Sequence, residues 1–342
     1  MNFSRLRRQF TYIFVCLLLT AQALKGQDPV FSQFYNAPIQ LNPGLVGLST
    51  NAQVAVNYRN QWPSWPQVYT TYSASYDQFF ESLNSGFGVQ VLADDAGDGI
   101  LKTQKLSGVY AYQIRLQPTL RARIGLEVGI ISSRLDWDKL IFFDQLVPGS
   151  VEGTPGGGIL PTREVIPDRL NNMVLNMSMG GLLYSDKYYI GISLKHLNNP
   201  DNTFRSEQDN TYSGLPTRLI IHGGMQIDLD GYNKEGFGSF IAPSILFTRQ
   251  AGLSQLNAGA LYNRENVFGG LWVRHTGSNL DAAIVSVGMR TDWIKVSYSF
   301  DLTISDAYVT RTAGSHEIGI LINVGGREKQ RSRYEDCFSI FR

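Results

Sequence analysis

The chain has 342 residues and a formal net charge of +1; only 17% of its residues are charged, whereas 12% are aromatic and 34 are glycine. Soluble domains usually contain about 25% charged residues. A net charge this close to zero argues against nucleic acid or an acidic polymer as a partner. The composition is typical of a β-barrel whose outer wall faces lipid, and it leaves a secreted soluble β-sandwich as the alternative.

The N-terminus has the features of a cleaved secretion signal. Three arginines precede an apolar run at residues 10–20, which is too short for a membrane helix, since that needs about 20 residues. Residues 21–23 form a small-x-small cleavage site, and cleavage near Gln27 is the alternative. We predict a signal peptide over residues 1–26. The mature chain then keeps one of its two cysteines, Cys337, so a disulfide framework is not expected.

From about residue 52 onward the dominant pattern has a period of two. Ile294, Val296 and Tyr298, for example, alternate with Lys295 and Ser297. In a strand these two sets face opposite sides of the sheet. The pattern predicts an all-β fold over residues 52–325. Its 14 segments are 52–58, 68–80, 86–93, 103–116, 119–134, 172–184, 187–196, 217–228, 238–247, 254–262, 266–275, 281–290, 293–301 and 314–324.

The connections between these segments differ in length in a regular way. Those after even-numbered segments are mostly short, such as Gln117-Pro118 and Ser185-Asp186, and those after odd-numbered segments are mostly longer, such as 94–102, 135–171 and 197–216. Short turns on one side and long loops on the other are typical of outer-membrane barrels, and a soluble sandwich has no reason to follow this rule. We therefore predict a transmembrane antiparallel β-barrel of about 14 strands in the lipid of a Gram-negative outer membrane, with short periplasmic turns and long extracellular loops.

The two faces of the predicted strands carry different residue types. The set expected to face the lumen has charges of both signs, which suits a hydrated or plugged interior and gives no reason to expect strong ion selectivity: Arg121, Arg123, Glu127, Arg218, Asp228, Arg290, Lys295, Asp301 and Glu317. Aromatic residues cluster near strand ends, as in interfacial girdles, although cross-strand pairing is an equal alternative: Tyr58, Trp62, Trp65, Tyr69, Tyr72, Tyr76, Phe79, Phe80, Trp272 and Trp293.

Two parts of the mature chain lie outside the strand pattern. Residues 27–51 are rich in proline, asparagine and glycine and do not suit a central strand. We expect this segment in the lumen or against the periplasmic rim. Residues 326–342 follow the last strand and are basic, and we expect a mobile periplasmic tail there, with a docking peptide as the alternative.

Residues that could carry chemistry form weak patterns. Asp94, Asp95 and Asp98 partly match a calcium-binding loop, but Ala96 takes a ligand position, so an acidic turn is the better interpretation. The four histidines show no metal-ligand spacing, and no catalytic motif is present. The glycine run within 135–171 is not followed by a helix pattern, so a long external loop is favoured over a phosphate site. We predict no enzyme, no cofactor and no metal.

Ordered motifs near both ends of the mature chain resemble a known family. They are Asp28-Pro29-Val30-Phe31-Ser32-Gln33-Phe34-Tyr35, Leu41-Asn42-Pro43-Gly44, Tyr58-Arg59-Asn60-Gln61-Trp62, Gly108-Val109-Tyr110-Ala111-Tyr112 and Gly314-Ser315-His316-Glu317-Ile318. Together they resemble the PorP/SprF family of membrane proteins associated with the type IX secretion system. The long proline-rich loop and the basic tail with Cys337 depart from the family pattern.

The resemblance implies a 14-stranded outer-membrane barrel that supports secretion or surface attachment of proteins with a type IX C-terminal sorting domain, often adhesins used in gliding. The implied partners are such a cargo protein or secretion-system components. A passive channel for small solutes is the alternative function, and a barrel hydrolase is a remote one. The motif residues that we single out as candidate partner or plug contacts are Phe31, Phe34, Tyr35, Asn42, Pro43, Arg59, Gln61 and Trp62.

Overall fold

The computed structural model describes residues 27–49, 51–66, 68–145, 161–204, 214–230, 238–277, 279–304, 312–324 and 336–341. The predicted signal peptide, the glycine run of the long loop and most of the basic tail lie outside these residues. Among the residues that the structure describes, no helix is both long enough and apolar enough to span a membrane.

The described chain is built mainly from β-strands. Successive strands are antiparallel neighbours, as the period-two pattern predicts for strands joined by turns. The strands are β1 (Ala52–Gln61), β2 (Tyr69–Phe80), β3 (Ser85–Ala96), β4 (Leu101–Gln117), β5 (Leu120–Leu135), β6 (Asn171–Tyr184), β7 (Tyr188–Lys195), β8 (Arg218–Met225), β9 (Ile227–Asp228), β10 (Ser239–Gln250), β11 (Leu253–Arg264), β12 (Val267–Thr276), β13 (Asn279–Arg290), β14 (Ile294–Thr303) and β15 (Ser315–Val324).

The sheet closes on itself. The first and last strands pair along their whole length, from Ala52 opposite Val324 to Gln61 opposite Ser315. Strands β8 and β9 are two parts of one strand, interrupted at Gln226, and both pair with β10. The structure is therefore a closed antiparallel barrel of 14 strands, which confirms the predicted fold.

The connections are unequal at the two ends of the barrel. One end, called the long-loop end, has the connections 62–68, 136–170, 196–217 and 304–314, and the other, called the short-turn end, has mainly tight turns. The long-loop end also has three short connections, 97–100, 251–252 and 277–278. The prediction of a long loop at 94–102 is wrong, because β3 and β4 continue pairing as far as Ala96 opposite Leu101.

The wall of the barrel is apolar outside and polar inside. On β14, for example, Val296 and Tyr298 are exposed, whereas Lys295, Ser297 and Asp301 are buried. This is the reverse of a soluble protein and suits a wall surrounded by lipid. Among the residues predicted to face inward, Arg121 is half-buried and Asp228 is exposed near a strand end; the other seven are buried.

Trp272, which is predicted for the interfacial girdle, lies inside the barrel. Trp272 is 3% exposed, because on β12 it shares the inward face with Gly270 and Arg274, while Leu271 and Val273 face outward. The assignment of Trp272 to a girdle is therefore wrong. Exposed aromatic side chains near the strand ends include Trp65, Tyr69, Phe80 and Trp293.

The lumen is filled by the chain itself. Residues 28–49, here called the lumenal segment, are almost entirely buried and contribute Tyr35, Leu41 and Leu45 to an apolar cluster with inward-facing wall residues. The described part of the C-terminal tail, Asp336–Phe341, forms a 3-10 turn whose Phe338, Ile340 and Phe341 join the same cluster. These tail residues therefore pack inside the barrel, which differs from the free periplasmic end expected from the sequence.

Candidate functional site

The lumenal segment consists of short turns whose positions follow from its prolines and asparagines. Pro38 starts the single-turn helix α1 (Pro38–Leu41), and Pro43 starts a 3-10 turn, Pro43–Leu45. Proline favours the first position of such turns because its φ is already helical and its missing N–H is not needed there. The Asn42 side chain caps the second turn by accepting a hydrogen bond from the Gly44 N–H at 2.8 Å.

The segment passes through the lumen from one end of the barrel to the other. Asp28 lies at the long-loop end, where its carboxylate is 2.7 Å from the His196 ring, just after β7. Gly47 lies in the short-turn half, where its N–H donates to Asp77 on β2 at 2.6 Å. Burial raises the pKa of Asp28, but the nearby His196 and Arg218 have the opposite and larger effect, so that its pKa is well below the ordinary value.

A buried group of charges holds the start of the segment; we call it the Ser32 cluster (Ser32, Arg59, Arg274, Asp301 and Glu317). The Ser32 hydroxyl donates to Asp301 at 2.6 Å and accepts from Arg59 at 2.7 Å and from Arg274 at 2.5 Å. Arg59 also pairs with Asp301 at 3.0 Å and with Glu317 at 3.1 Å. Two cations and two carboxylates therefore balance each other, which buried ions require.

The Glu317 carboxylate also binds the backbone of the segment. It accepts hydrogen bonds from the N–H of Ser32 at 2.8 Å and from the N–H of Gln33 at 2.9 Å. A carboxylate that accepts from backbone N–H groups fixes the position of the main chain as well as that of a side chain. The contact therefore fixes residues 32–33 to β15.

The segment also bridges the seam where β1 meets β15. Asn57 on β1 donates to the carbonyl oxygen of Asn36 at 2.9 Å, and the Asn36 amide donates to Ser297 on β14 at 2.6 Å. The seam joins strands that are far apart in the chain, so closing it costs conformational entropy. Contacts to both sides of the seam stabilise the closed barrel.

Asn42 anchors the middle of the segment to the wall. Its amide nitrogen lies 3.0 Å from the Gly181 carbonyl oxygen, 3.2 Å from the Ile192 carbonyl oxygen and 3.0 Å from Nε2 of His222. Glycine lines the wall beside it: a Cβ at Gly180 would lie 1.9 Å from the Asn42 Oδ1. This close approach requires glycine, since any side chain would displace Asn42.

Further contacts fix the segment to β5 and β7. Arg123 on β5 donates to the carbonyl oxygens of Val46 and Gly47. Lys195 on β7 donates to the Ile39 carbonyl oxygen at 3.2 Å and pairs with Glu127 at 2.6 Å. Cations of the wall thus satisfy backbone carbonyl oxygens that would otherwise be buried without partners.

Aromatic packing supports the polar contacts. The Tyr35 ring stacks on Trp272 with 5.5 Å between ring centroids, and Phe34 meets the same indole edge to face at 6.4 Å. On the tail, Phe338 contacts Tyr184 at 4.9 Å and Tyr189 at 5.5 Å. Each fully buried large apolar side chain contributes about 1.5–3 kcal/mol to folding.

Of the eight residues predicted from the motifs, six lie in the lumen and two lie at or just after the end of β1. Phe31, Phe34, Tyr35, Asn42, Pro43 and Arg59 are all buried in the lumen. Gln61 is half-buried at the end of β1, with its Oε1 3.4 Å from Arg59. Trp62 lies at the long-loop rim with a positive φ of 58° and meets Tyr69 edge to face at 6.0 Å.

Several residues of this site were not singled out as contacts by sequence reasoning. Ser32, Gln33 and Asn36 stand within or beside the quoted motifs, but small polar residues have no pattern that separates a contact from a turn. The inward position of Arg274 could have been predicted from the alternation on β12, where it lies two residues from Trp272 on the same face.

The candidate chemical sites form no catalytic or metal-binding arrangement in the part of the chain that is described. Asp94 and Asp95 are in β3 rather than in a loop; Asp94 accepts from Thr71 at 2.6 Å, and Asp95 is 3.9 Å from Lys102. His196 and His222 are buried, whereas His275 lies on the outer face. Within the described ranges, no group of three His, Cys, Asp or Glu side chains is placed to hold a metal ion.

The barrel is similar in shape to solved outer-membrane proteins of low sequence identity. The Ralstonia pickettii toluene transporter TbuX is 10% identical, with a TM-score of 0.47 and coverage of 84% of this chain and 93% of that chain. A Pseudomonas aeruginosa FadL homologue is 12% identical, with a TM-score of 0.39 and coverage of 82% and 92%. A mutant of the Rh. blastica porin is 6% identical, with a TM-score of 0.33 and coverage of 80% and 98%.

No curated protein matches the chain. A protein family does: residues 23–321, which include the lumenal segment and nearly all of the barrel, match the type IX secretion system membrane protein PorP/SprF. The chain therefore belongs to the PorP/SprF family of type IX secretion system membrane proteins.

Proposed function

We propose that this barrel supports secretion or surface attachment of proteins that carry a type IX C-terminal sorting domain, with large surface adhesins used in gliding as one cargo class. The observation that carries the proposal is membership of the PorP/SprF family over residues 23–321. The partner is such a cargo protein or a component of the secretion system. In this proposal the barrel lies in the outer membrane, with its short-turn end in the periplasm and its long-loop end outside the cell.

The filled lumen favours a binding role over a passive channel. The lumenal segment passes through the whole barrel, and its backbone is held by Arg123, Lys195 and Glu317. Charges in the Ser32 cluster are paired with each other instead of facing a water-filled path. A channel for small solutes, the alternative function, requires this segment to leave or to move aside.

The partner surface is expected at the long-loop end. Six of the eight motif residues are buried as plug contacts, so they are not accessible to a partner while the segment is in place. Trp62 at the rim and Trp65, which is 42% exposed, remain accessible. Tryptophan is enriched among residues that dominate binding energy at protein interfaces.

The test is affinity purification of the tagged barrel from native outer membranes, followed by mass spectrometry. We expect recovery of a surface protein with a type IX sorting domain or of secretion-system components, and a loss of at least tenfold in the Trp62→Ala, Trp65→Ala double variant. Trp293→Ala, at an exposed tryptophan of the opposite end, is the matched control and should recover the partner normally. Recovery of the folded barrel alone would contradict the proposal and make conductance in planar bilayers the next measurement.

A further inference from the structure

The outer wall of the barrel has a groove that is separate from the filled lumen. It lies across β2 to β5, has a volume of about 470 Å³ and is lined mainly by apolar side chains. Its floor is Gly108 on β4, which stands opposite Val89 on β3 and Val128 on β5. A Cβ placed at Gly108 would meet no heavy atom within 4 Å, so the missing side chain leaves open space between two exposed valines.

Aromatic rings line the side of the groove that is nearer the short-turn end. Phe87 lies between Phe80 and Tyr110, with centroid distances of 5.5 and 5.1 Å. The Tyr110 hydroxyl is 3.0 Å from the Ser85 hydroxyl at the start of β3. Phe80 ends β2 and Phe87 is near the start of β3, and aromatic rings near strand ends are typical of the level at which lipid chains meet the headgroup region.

A polar side chain stands in the same apolar surface. Gln78 on β2 shares the outward face with Tyr76 and Phe80, and it accepts a hydrogen bond from the Tyr76 hydroxyl at 2.9 Å. Its amide N–H groups remain available to an acceptor, because the Tyr76 hydrogen bond uses only the carbonyl oxygen. Polar groups on a lipid-facing wall are costly unless they find partners.

The position and lining of the groove indicate a lipid as its occupant. It opens onto the lipid-facing wall, so it is continuous with the hydrocarbon of the bilayer. Its lining has no charged side chain, and its volume lies within the range of about 300–1,000 Å³ of small-molecule sites. The apolar part around Gly108 suits a hydrocarbon chain, and the Gln78 amide near the short-turn end suits an ester carbonyl.

We propose that this groove is a binding site for one glycerophospholipid of the leaflet at the short-turn end, with an acyl chain over Gly108 and an ester carbonyl oxygen accepting from the Gln78 amide. The site is independent of the proposed secretion role, since none of its residues belongs to the lumenal segment or to the long-loop rim. It retains a particular lipid molecule after the surrounding lipid is exchanged for detergent.

The experiment compares lipid retention between variants of the full-length barrel. Each protein is reconstituted in vesicles of phosphatidylethanolamine and phosphatidylglycerol, extracted into mild detergent, and analysed by native mass spectrometry and lipid extraction. The wild type is expected to retain about one phospholipid per barrel. Gly108→Phe fills the groove and Gln78→Leu removes the hydrogen-bond donor, and each is expected to lower retention at least fivefold.

Gly269→Phe is the matched control. Gly269 also faces outward, on β12, and the nearest heavy atom to its Cβ position is 3.7 Å away. It should retain lipid like the wild type, and all variants are first shown to be folded by their altered mobility on unheated gels. Equal retention by Gly108→Phe and Gly269→Phe, or a wild type that retains no lipid, would overturn the proposal.

Discussion

Arg59 connects three parts of the molecule through one side chain. Its guanidinium group is 4% exposed and contacts the lumenal segment at Ser32, β14 at Asp301 and β15 at Glu317. A buried charge of this kind depends on its partners, and the partners depend on it. The same residue therefore joins the barrel seam, which lies between its own strand and β15, to the segment that fills the lumen.

Replacing Arg59 by alanine is expected to destabilise the folded barrel by about 3–5 kcal/mol, because Glu317 loses its buried cation and Asp301 keeps only Arg274. The measurement is urea-induced unfolding in phospholipid vesicles. Arg264→Ala, at an exposed position near the end of β11, is the matched control and should change stability by less than about 0.5 kcal/mol. Equal stability of the two variants would show that the Ser32 cluster does not support the fold.

Among the elements, the strands were predictable, whereas the path and the contacts of the segments inside the barrel were not. Alternation alone located β14 and β15 to within a few residues, because each residue of a barrel wall meets either lipid or the lumen. The same alternation places Trp272 inside the barrel, because Gly270 and Arg274 on either side of it face inward. Its residue type alone had suggested an interfacial girdle. Residues 28–49 have no period, since their contacts are distributed over many strands of the wall, and only their prolines excluded a strand.

A substitution at Gly125 tests whether the lumenal segment closes the pore. A Cβ there would lie 2.3 Å from the Pro43 carbonyl carbon, so Gly125→Ala is expected to displace the turn Pro43–Leu45 from β5 and to open a path through the lumen. In planar bilayers the wild type should be silent, whereas this variant should show discrete conductance steps. Gly269→Ala, on the outer face, should remain silent. If the Gly125 variant were also silent while remaining folded, the segment would not be what closes the pore.

The burial of the C-terminal turn and the cost of ordering it are similar in size. Complete burial of Phe338, Ile340 and Phe341 contributes about 4.5–9 kcal/mol at about 1.5–3 kcal/mol each. Ordering six residues costs about 9 kcal/mol at about 1.5 kcal/mol each. At the upper end of the burial range the two contributions cancel, and the hydrogen bond from Lys295 to the Ile340 carbonyl oxygen, at 2.6 Å, adds about 1 kcal/mol.

Truncation after residue 335 is therefore expected to leave the barrel folded and to change its free energy of unfolding by less than about 2 kcal/mol. All strands are retained, since β15 ends at Val324. Urea titration of the truncated and full-length proteins in the same vesicles measures the difference. A loss comparable to that of Arg59→Ala would show that the tail is an integral part of the core.

At the scale of the whole molecule, the barrel wall faces two different surroundings, lipid on the outside and the filled lumen on the inside. Apolar side chains such as Leu106, Leu126 and Leu271 are more than half exposed, and carboxylates such as Glu127 and Glu317 are buried. In water this arrangement would be strongly unfavourable, because apolar surface would be hydrated and ions would not. A lipid exterior removes the first cost, and the pairing of charges inside the lumen removes much of the second.

The depth of the wall in the bilayer can be measured with two arginine substitutions. Leu271 lies near the middle of β12 and Leu302 at the long-loop end of β14, and both are exposed on the outer face. Arginine costs about 2–4 kcal/mol at the bilayer midplane and about 0–1 kcal/mol near its surface, since the hydrocarbon cannot solvate the charge. Leu271→Arg should therefore lower the free energy of unfolding in phospholipid vesicles by several times more than Leu302→Arg. In detergent micelles the difference should shrink, because water reaches the charge more easily, and equal costs in vesicles would mean that the middle of β12 is not in the hydrocarbon region.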